Sequence, residues 1–113
     1  MMNHGLLARD LFHIRAAVSE LEQIEQVILF GSRAKGTHER GSDVDIAIKG
    51  DINYETVLQL SSELNEARPL PYFFDVVNYD SLDDNDPLRA HIDRVGWVLF
   101  DRRRLLSIAP TSR

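Results

Sequence analysis

The sequence contains no cysteine, an absence that excludes disulfide bonds, catalysis by a thiol and zinc sites built from cysteine. It also lacks long apolar runs: no stretch approaches the roughly 18 consecutive apolar residues that a membrane-spanning helix needs. The N-terminal segment MMNHGLLARD has no apolar core of the kind found in a signal peptide. We therefore expect a cytoplasmic protein with no membrane partner.

Basic residues are in the minority. Thirteen Lys and Arg residues stand against 18 Asp and Glu residues, which gives a net charge of −5. A protein that binds nucleic acid directly usually carries a basic excess, because its cations replace the counterions of the phosphates. We therefore expect no direct nucleic-acid binding.

The length of 113 residues leaves room for one ordinary domain. Apolar residues make up 43% of the chain, enough to bury a core. Four arginines lie within the last thirteen residues, against one acid, Asp101. We interpret residues 1–100 as the domain and residues 101–113 as an Arg-rich tail, either disordered or bound to a partner.

Apolar periodicity predicts helices that alternate with short strands. Helices are expected over about 6–25 and 53–68 and after Asp86, strands over 27–30, 44–48, 72–77 and 97–100, and a loop with one helical turn over 31–43. Asn53 and Asp86 are typical helix N-caps, and Gly96 ends the last helix. The alternation indicates an α/β or α+β fold, a small β-sheet with helices packed on it.

Two acids stand out in the second predicted strand. Asp43 and Asp45 are spaced i, i+2, which places both on one face of a strand, and their apolar neighbours face the other way. Adjacent carboxylates repel each other unless a cation lies between them, and their hard oxygens suit Mg²⁺. A third acid, Asp75, interrupts an apolar strand. If the two strands are neighbours, the three carboxylates converge.

A glycine turn follows the first strand. Gly31 permits a tight turn and close approach of a ligand to the backbone, and Ser32 adds a hydroxyl. Together with Arg33 and Lys35, this segment forms a plausible phosphate-binding cradle. It is not a P-loop, because residues 35–37 read Lys-Gly-Thr rather than the required Gly-Lys-Ser/Thr order. The four histidines, His4, His13, His38 and His91, show no metal-ligand spacing, and we assign none of them to the site.

The composite pattern resembles a known superfamily. It consists of Gly31-Ser32, ten intervening residues, the pair Asp43 and Asp45, and the later Asp75 in an apolar strand. This order is similar to that of the DNA polymerase β-like nucleotidyltransferases. Within them the chain most resembles the minimal nucleotidyltransferases, the MntA-type antitoxins of HEPN/MNT toxin–antitoxin pairs. The resemblance spans about residues 7–100.

The resemblance implies a fold, a reaction and a set of roles. The fold would be a mixed sheet, the palm of a polymerase β-like nucleotidyltransferase. The reaction would be an EC 2.7.7 type transfer of AMP from ATP that depends on two Mg²⁺ ions. Asp43 and Asp45 would bind both metals, and Asp75 would bind one metal and help to deprotonate the acceptor. Gly31 and Ser32 would hold the β- and γ-phosphates, and the further candidates for nucleotide binding are Arg33, Lys35 and Ser42.

The resemblance also implies a partner, a helical HEPN-domain ribonuclease toxin. The transferase would neutralise it by attaching AMP to a tyrosine hydroxyl, so that the toxin holds the acceptor that a chain this short cannot hold alone. Three alternatives remain open. The acceptor could be a small hydroxylated molecule such as an antibiotic, or the chain could be a non-catalytic module that blocks its partner by contact. The third is a Mg²⁺ or nucleotide sensor, which no particular feature of the sequence favours.

Overall fold

The computed structural model describes residues 4–104. Helices and strands alternate in it as the apolar pattern predicts. The elements are α1 (Ala8–Ser19), β1 (Ile24–Phe30), α2 (Gly31–Lys35), β2 (Val44–Gly50), α3 (Tyr54–Ser62) with a π-helical extension (Glu63–Ala67), β3 (Phe74–Asn78), a 3₁₀ turn (Tyr79–Ser81), α4 (Pro87–Val95) and β4 (Trp97–Asp101).

The four strands form one mixed sheet in the order β3-β2-β1-β4. β1 pairs antiparallel with β2 on one side and with β4 on the other. β2 and β3 run parallel, with α3 and its extension as the crossover between them. The expected α/β fold with a mixed sheet is therefore confirmed, and the two strands that carry the predicted acids are neighbours.

Apolar side chains cover both faces of the sheet because alternate residues of β1 and β2 point in opposite directions. The first face packs against α1 and α3, in a core that includes Ile14, Val18, Val27, Leu29, Val44, Ile46, Ile48, Leu60 and Leu64. The second face packs against α4 and the 3₁₀ turn, through Ile28, Phe30, Ala47, Tyr79 and Ile92. The predicted acids of β2 and β3 lie on this second face.

The first helix is shorter than predicted. It ends at Ser19 rather than near residue 25, and β1 begins at Ile24 rather than at Val27. The apolar spacing continues past the helix because Leu21 still packs against the core from a turn. Leu21 N–H donates to the carbonyl of Val18 in that turn. Because Leu21 is packed against the core without being helical, the apolar pattern could not indicate where α1 ends.

The predicted caps are confirmed. The Asn53 side chain accepts a hydrogen bond from Thr56 N–H, and the Asp86 side chain accepts one from Leu88 N–H. Gly96 follows the last residue of α4. The single helical turn expected in the 31–43 loop is α2.

The sheet extends one residue past residue 100, into the segment that we interpret from the sequence as an Arg-rich tail. Asp101 is the last residue of β4. The guanidinium of Arg102 donates to the carbonyls of Ile24, Val18 and Leu21, and it lies over the ring of Phe100. Arg102 therefore anchors the end of β4 to the turn after α1. The rest of the predicted tail, residues 105–113, lies outside the described residues.

Within residues 4–104, no helix is both long enough and apolar enough to cross a membrane.

Strand β3 is held at the edge of the sheet by a side chain of the π-helical extension. The amide of Asn65 accepts from Phe74 N–H at 2.7 Å and donates to Phe74 C=O at 3.0 Å. Both backbone groups of the residue before Asp75 are thus satisfied on the side away from β2. Asn65 thereby fixes the strand that presents Asp75.

We predict that Asn65→Ala destabilises the protein by about 1–3 kcal/mol, because two partly buried backbone groups lose their partner. Urea unfolding followed by circular dichroism measures this loss. Asn85→Ala, at an exposed loop position, is the matched control and should stay within about 0.5 kcal/mol of the wild type. Equal stabilities of the two variants would show that Asn65 does not hold β3.

Candidate active site

Asp45 lies at the centre of the candidate site. It is directly opposite Phe30 of β1 on one side and Asp75 of β3 on the other. Its strand neighbours Val44 and Ile46 are fully buried on the first face, so the Asp45 carboxylate is directed to the second face. Parallel pairing thus places two carboxylates in register on adjacent strands.

The charges of Asp43 and Asp75 act on Asp45. Asp43 lies one residue before β2, and both it and Asp75 are exposed, whereas Asp45 is half-buried. Burial, and then the negative charges of Asp75 and Asp43, raise the pKa of Asp45 above its ordinary value. The nearby imidazole of His91 opposes this rise in pKa. The ionised form of Asp45 is therefore held at an energetic cost at neutral pH.

The donor set suits a hard divalent cation. Asp45 and Asp75 are in register on adjacent strands and Asp43 lies just before β2, so a cation beside Asp45 would relieve the repulsion among these charges. Within residues 4–104, no three acidic or histidine side chains are gathered closely enough to hold a metal ion as they stand. Asp43 and Asp75 are exposed, so their side chains have room to change rotamer.

Gly31 brings the backbone directly against the Asp45 carboxylate. It has a φ of +77°, which favours glycine, and a Cβ built on it would overlap Oδ2 of Asp45. Ser32 is half-buried beside it, and Lys35 is exposed at the end of the same short helix. The predicted phosphate cradle and the predicted metal ligands are therefore in contact through this one glycine.

Arg33 does not face the site, in contrast to the expectation that it contacts phosphate. Its side chain is 3% exposed. The guanidinium donates to the carbonyls of Ser42 and His4, each at 2.9 Å, and it lies over the ring of Tyr72. Its donors are thus used to tie the N-terminal segment to the loop between α2 and β2.

Ser42 is also used within that loop. Its hydroxyl accepts from Glu39 N–H at 2.8 Å, and its carbonyl accepts from Arg33. These bonds close the turn that leads into Asp43. Arg33 and Ser42, both expected to bind nucleotide, thus support the backbone that carries the first acid.

His91 of α4 is a site residue that the sequence pattern did not reveal. Its Nε2 accepts a hydrogen bond from Gly31 N–H at 3.3 Å, and its ring meets Phe30 edge to face. It lies 60 residues after Gly31 in the chain and has no motif around it. Only the packing of α4 on the second face could have identified it.

Comparison with known proteins identifies the family of the chain. The family model described as polymerase beta nucleotidyltransferase matches residues 13–105. The chain belongs to this nucleotidyltransferase family. A proposed protein adenylyltransferase of Methanocaldococcus jannaschii is 43% identical to it over 42 residues. That alignment covers 37% of this chain and 42% of the archaeal protein, so less than half of the relative is matched.

Solved structures show the same nucleotidyltransferase fold. A chain of a toxin–antitoxin complex with AMP-PNP superposes with a TM-score of 0.66 at 21% identity, covering 93% of this chain and 88% of that one. A chain from the complex of a tri-AMPylated Shewanella oneidensis HEPN toxin with an MNT antitoxin gives a TM-score of 0.57 at 18% identity, covering 88% and 78%. At these identities the likeness establishes the fold.

The raised pKa of Asp45 leads to a prediction about stability. The folded state binds the Asp45 proton more tightly than the unfolded chain, so stability falls as the pH rises from about 3.8 through the raised value. At pH 7 the cost of the ionised carboxylate is fully present. We therefore predict that, in EDTA at pH 7, Asp45→Asn melts at a higher temperature than the wild type.

Thermal denaturation across a pH series measures this effect. The difference should shrink as the pH falls below the raised pKa, where the wild-type carboxyl is also neutral. Added Mg²⁺ should raise the melting temperature of the wild type more than that of the variant. A variant that melts below the wild type in EDTA at every pH would contradict the electrostatic account.

Proposed function

We propose that this chain is a Mg²⁺-dependent protein adenylyltransferase, which transfers AMP from ATP to a tyrosine hydroxyl of a HEPN-domain toxin and thereby acts as its antitoxin. One observation carries the proposal. Asp45 is set between Asp43 and Asp75 and in contact with the Gly31 turn, an arrangement that is costly for stability and suited to a metal–nucleotide complex.

In this proposal the three acids have distinct roles. Asp43 and Asp45 would hold two Mg²⁺ ions, and Asp75 would share one of them. When bound, the ions neutralise the phosphate charge and supply electrostatic stabilisation to an in-line displacement at phosphorus. Asp75 is exposed at the edge strand, where a macromolecular acceptor can reach it.

The acceptor hydroxyl loses one proton in the chemical step, and a base must accept this proton. The acceptor oxygen bonds to the α-phosphorus as the bond to the leaving pyrophosphate breaks. The hydroxyl proton passes to the Asp75 carboxylate, which acts as the general base. At the Gly31 turn, the backbone N–H and the hydroxyl of Ser32 hold the phosphate chain, and Lys35 is exposed on the same short helix, where it can add positive charge.

The nature of the acceptor rests on the relatives. The archaeal relative is named as a proposed protein adenylyltransferase, and several similar structures are toxin–antitoxin complexes, one of them with an AMPylated HEPN toxin. These names support a protein acceptor over a small molecule. The archaeal protein matches this chain only over a short stretch, and the solved structures have low sequence identity to it. The acceptor and the partner are therefore parts of the proposal.

The test is AMP transfer to a HEPN-domain protein from the same organism, followed by intact mass after incubation with ATP and Mg²⁺. We predict that the wild type adds AMP and that Asp43→Asn or Asp45→Asn lowers the rate by roughly a hundredfold or more, because metal stabilisation of the transition state is lost. Asp83→Asn, at an exposed acid of a distant loop, is the control and should retain the wild-type rate.

Each other outcome favours a different function. A tight complex without transfer, unchanged by Asp45→Asn, would favour the non-catalytic antitoxin module. Transfer to an added aminoglycoside but not to the protein would favour a small-molecule transferase. Transfer by Asp45→Asn at the wild-type rate, with the fold intact, would refute the assigned role of this carboxylate.

A further inference from the structure

His91 connects α4 to the centre of the candidate site. It lies in the middle of α4, whose first turn is capped by Asp86 and whose buried residue Ile92 packs against the second face of the sheet. From this fixed helix, His91 Nε2 accepts the Gly31 N–H at 3.3 Å. The imidazole edge-to-face contact with Phe30 has a ring-centroid distance of 6.1 Å and an interplanar angle of 85°.

Gly31 and Phe30, the partners of His91 in the hydrogen bond and the ring contact, both lie against Asp45. Phe30 is the cross-strand partner of Asp45, and the Gly31 backbone is so close that a Cβ there would overlap the Asp45 carboxylate. A shift of the Phe30–Gly31 peptide would therefore move the surface against which Asp45 rests. Small displacements of this kind are costly to catalysis, because reacting groups must be aligned closely.

We propose that His91 is a positioning residue for nucleotidyl transfer, which fixes the Gly31 peptide, and through it the Asp45 carboxylate, by accepting the Gly31 N–H. This inference rests on the proposed function. It also changes which groups are expected to contact phosphate. Because the Gly31 N–H donates to the imidazole, the N–H and the hydroxyl of Ser32 are the donors of this turn that can bind the phosphate chain. In this role His91 acts through Gly31 and not on the phosphate or the acceptor.

Two substitutions separate the hydrogen bond from the space that the ring fills. Glutamine can place its side-chain oxygen near the position of Nε2, so His91→Gln can still accept from Gly31 N–H. Asparagine reaches only as far as Nδ1, so His91→Asn keeps an amide but loses this bond. His13→Asn, on α1 at the opposite face of the sheet, controls for the loss of a histidine elsewhere.

The first readout is the Mg²⁺ and ATP dependence of AMP transfer. We expect the Mg²⁺ concentration for half-maximal activity to rise about 10- to 100-fold in His91→Asn, as for other residues that orient a metal ligand. His91→Gln should lie within about threefold of the wild type, and His13→Asn should match it. Equal losses in the Gln and Asn variants would overturn the proposal, since the ring and not its acceptor would then matter.

The second readout does not depend on activity. Hydrogen exchange of the Gly31 amide, followed by NMR, should be at least about tenfold faster in His91→Asn than in the wild type or His91→Gln. Equal exchange in all three proteins would show that the bond does not form in solution and would overturn the inference. If the wild type transfers no AMP, the proposed function fails, whereas the exchange experiment still decides whether His91 holds Gly31.

Discussion

The parallel pairing of β2 with β3 sets Asp45 and Asp75 side by side, and the rest of the site depends on this arrangement. With Asp43 at the start of β2, the pair concentrates negative charge where Asp45 is already half-buried, and the pKa of Asp45 rises. A fold selected for stability alone would avoid this repulsion. Its cost is of the kind expected at functional sites, where a bound cation offsets it.

Contacts from every side keep the carboxylates in place. Asn65 bonds both backbone groups of Phe74 and so fixes the edge strand that bears Asp75. Arg33 bonds the Ser42 carbonyl, one residue before Asp43. The Gly31 N–H donates to His91, and the Gly31 backbone packs directly against the Asp45 carboxylate. Asn65, Arg33 and His91 therefore hydrogen-bond to backbone groups near the acids. Within the described residues, this leaves the three carboxylates available to bind a ligand.

The sequence reveals the parts of this site that depend on local pattern. The i, i+2 acids, the apolar strand around Asp75 and the glycine turn follow from spacing, and the structure places them together. Arg33 could not be interpreted correctly from spacing, because its partners His4 and Ser42 are brought to it by tertiary packing. His91 was missed because only the packing of α4 brings it to Gly31. Arg102 was assigned to a tail because its carbonyl partners lie about 80 residues earlier.

We propose that these carboxylates and the Gly31 turn form one metal–nucleotide site. The most direct measurement is a crystal structure of the protein with Mg²⁺ and a non-hydrolysable ATP analogue. We expect metal density in contact with Asp45, Asp43 and Asp75, and the phosphate chain against Gly31 and Ser32. A nucleotide bound elsewhere, or bound at the turn with no metal contacting Asp45, would contradict it.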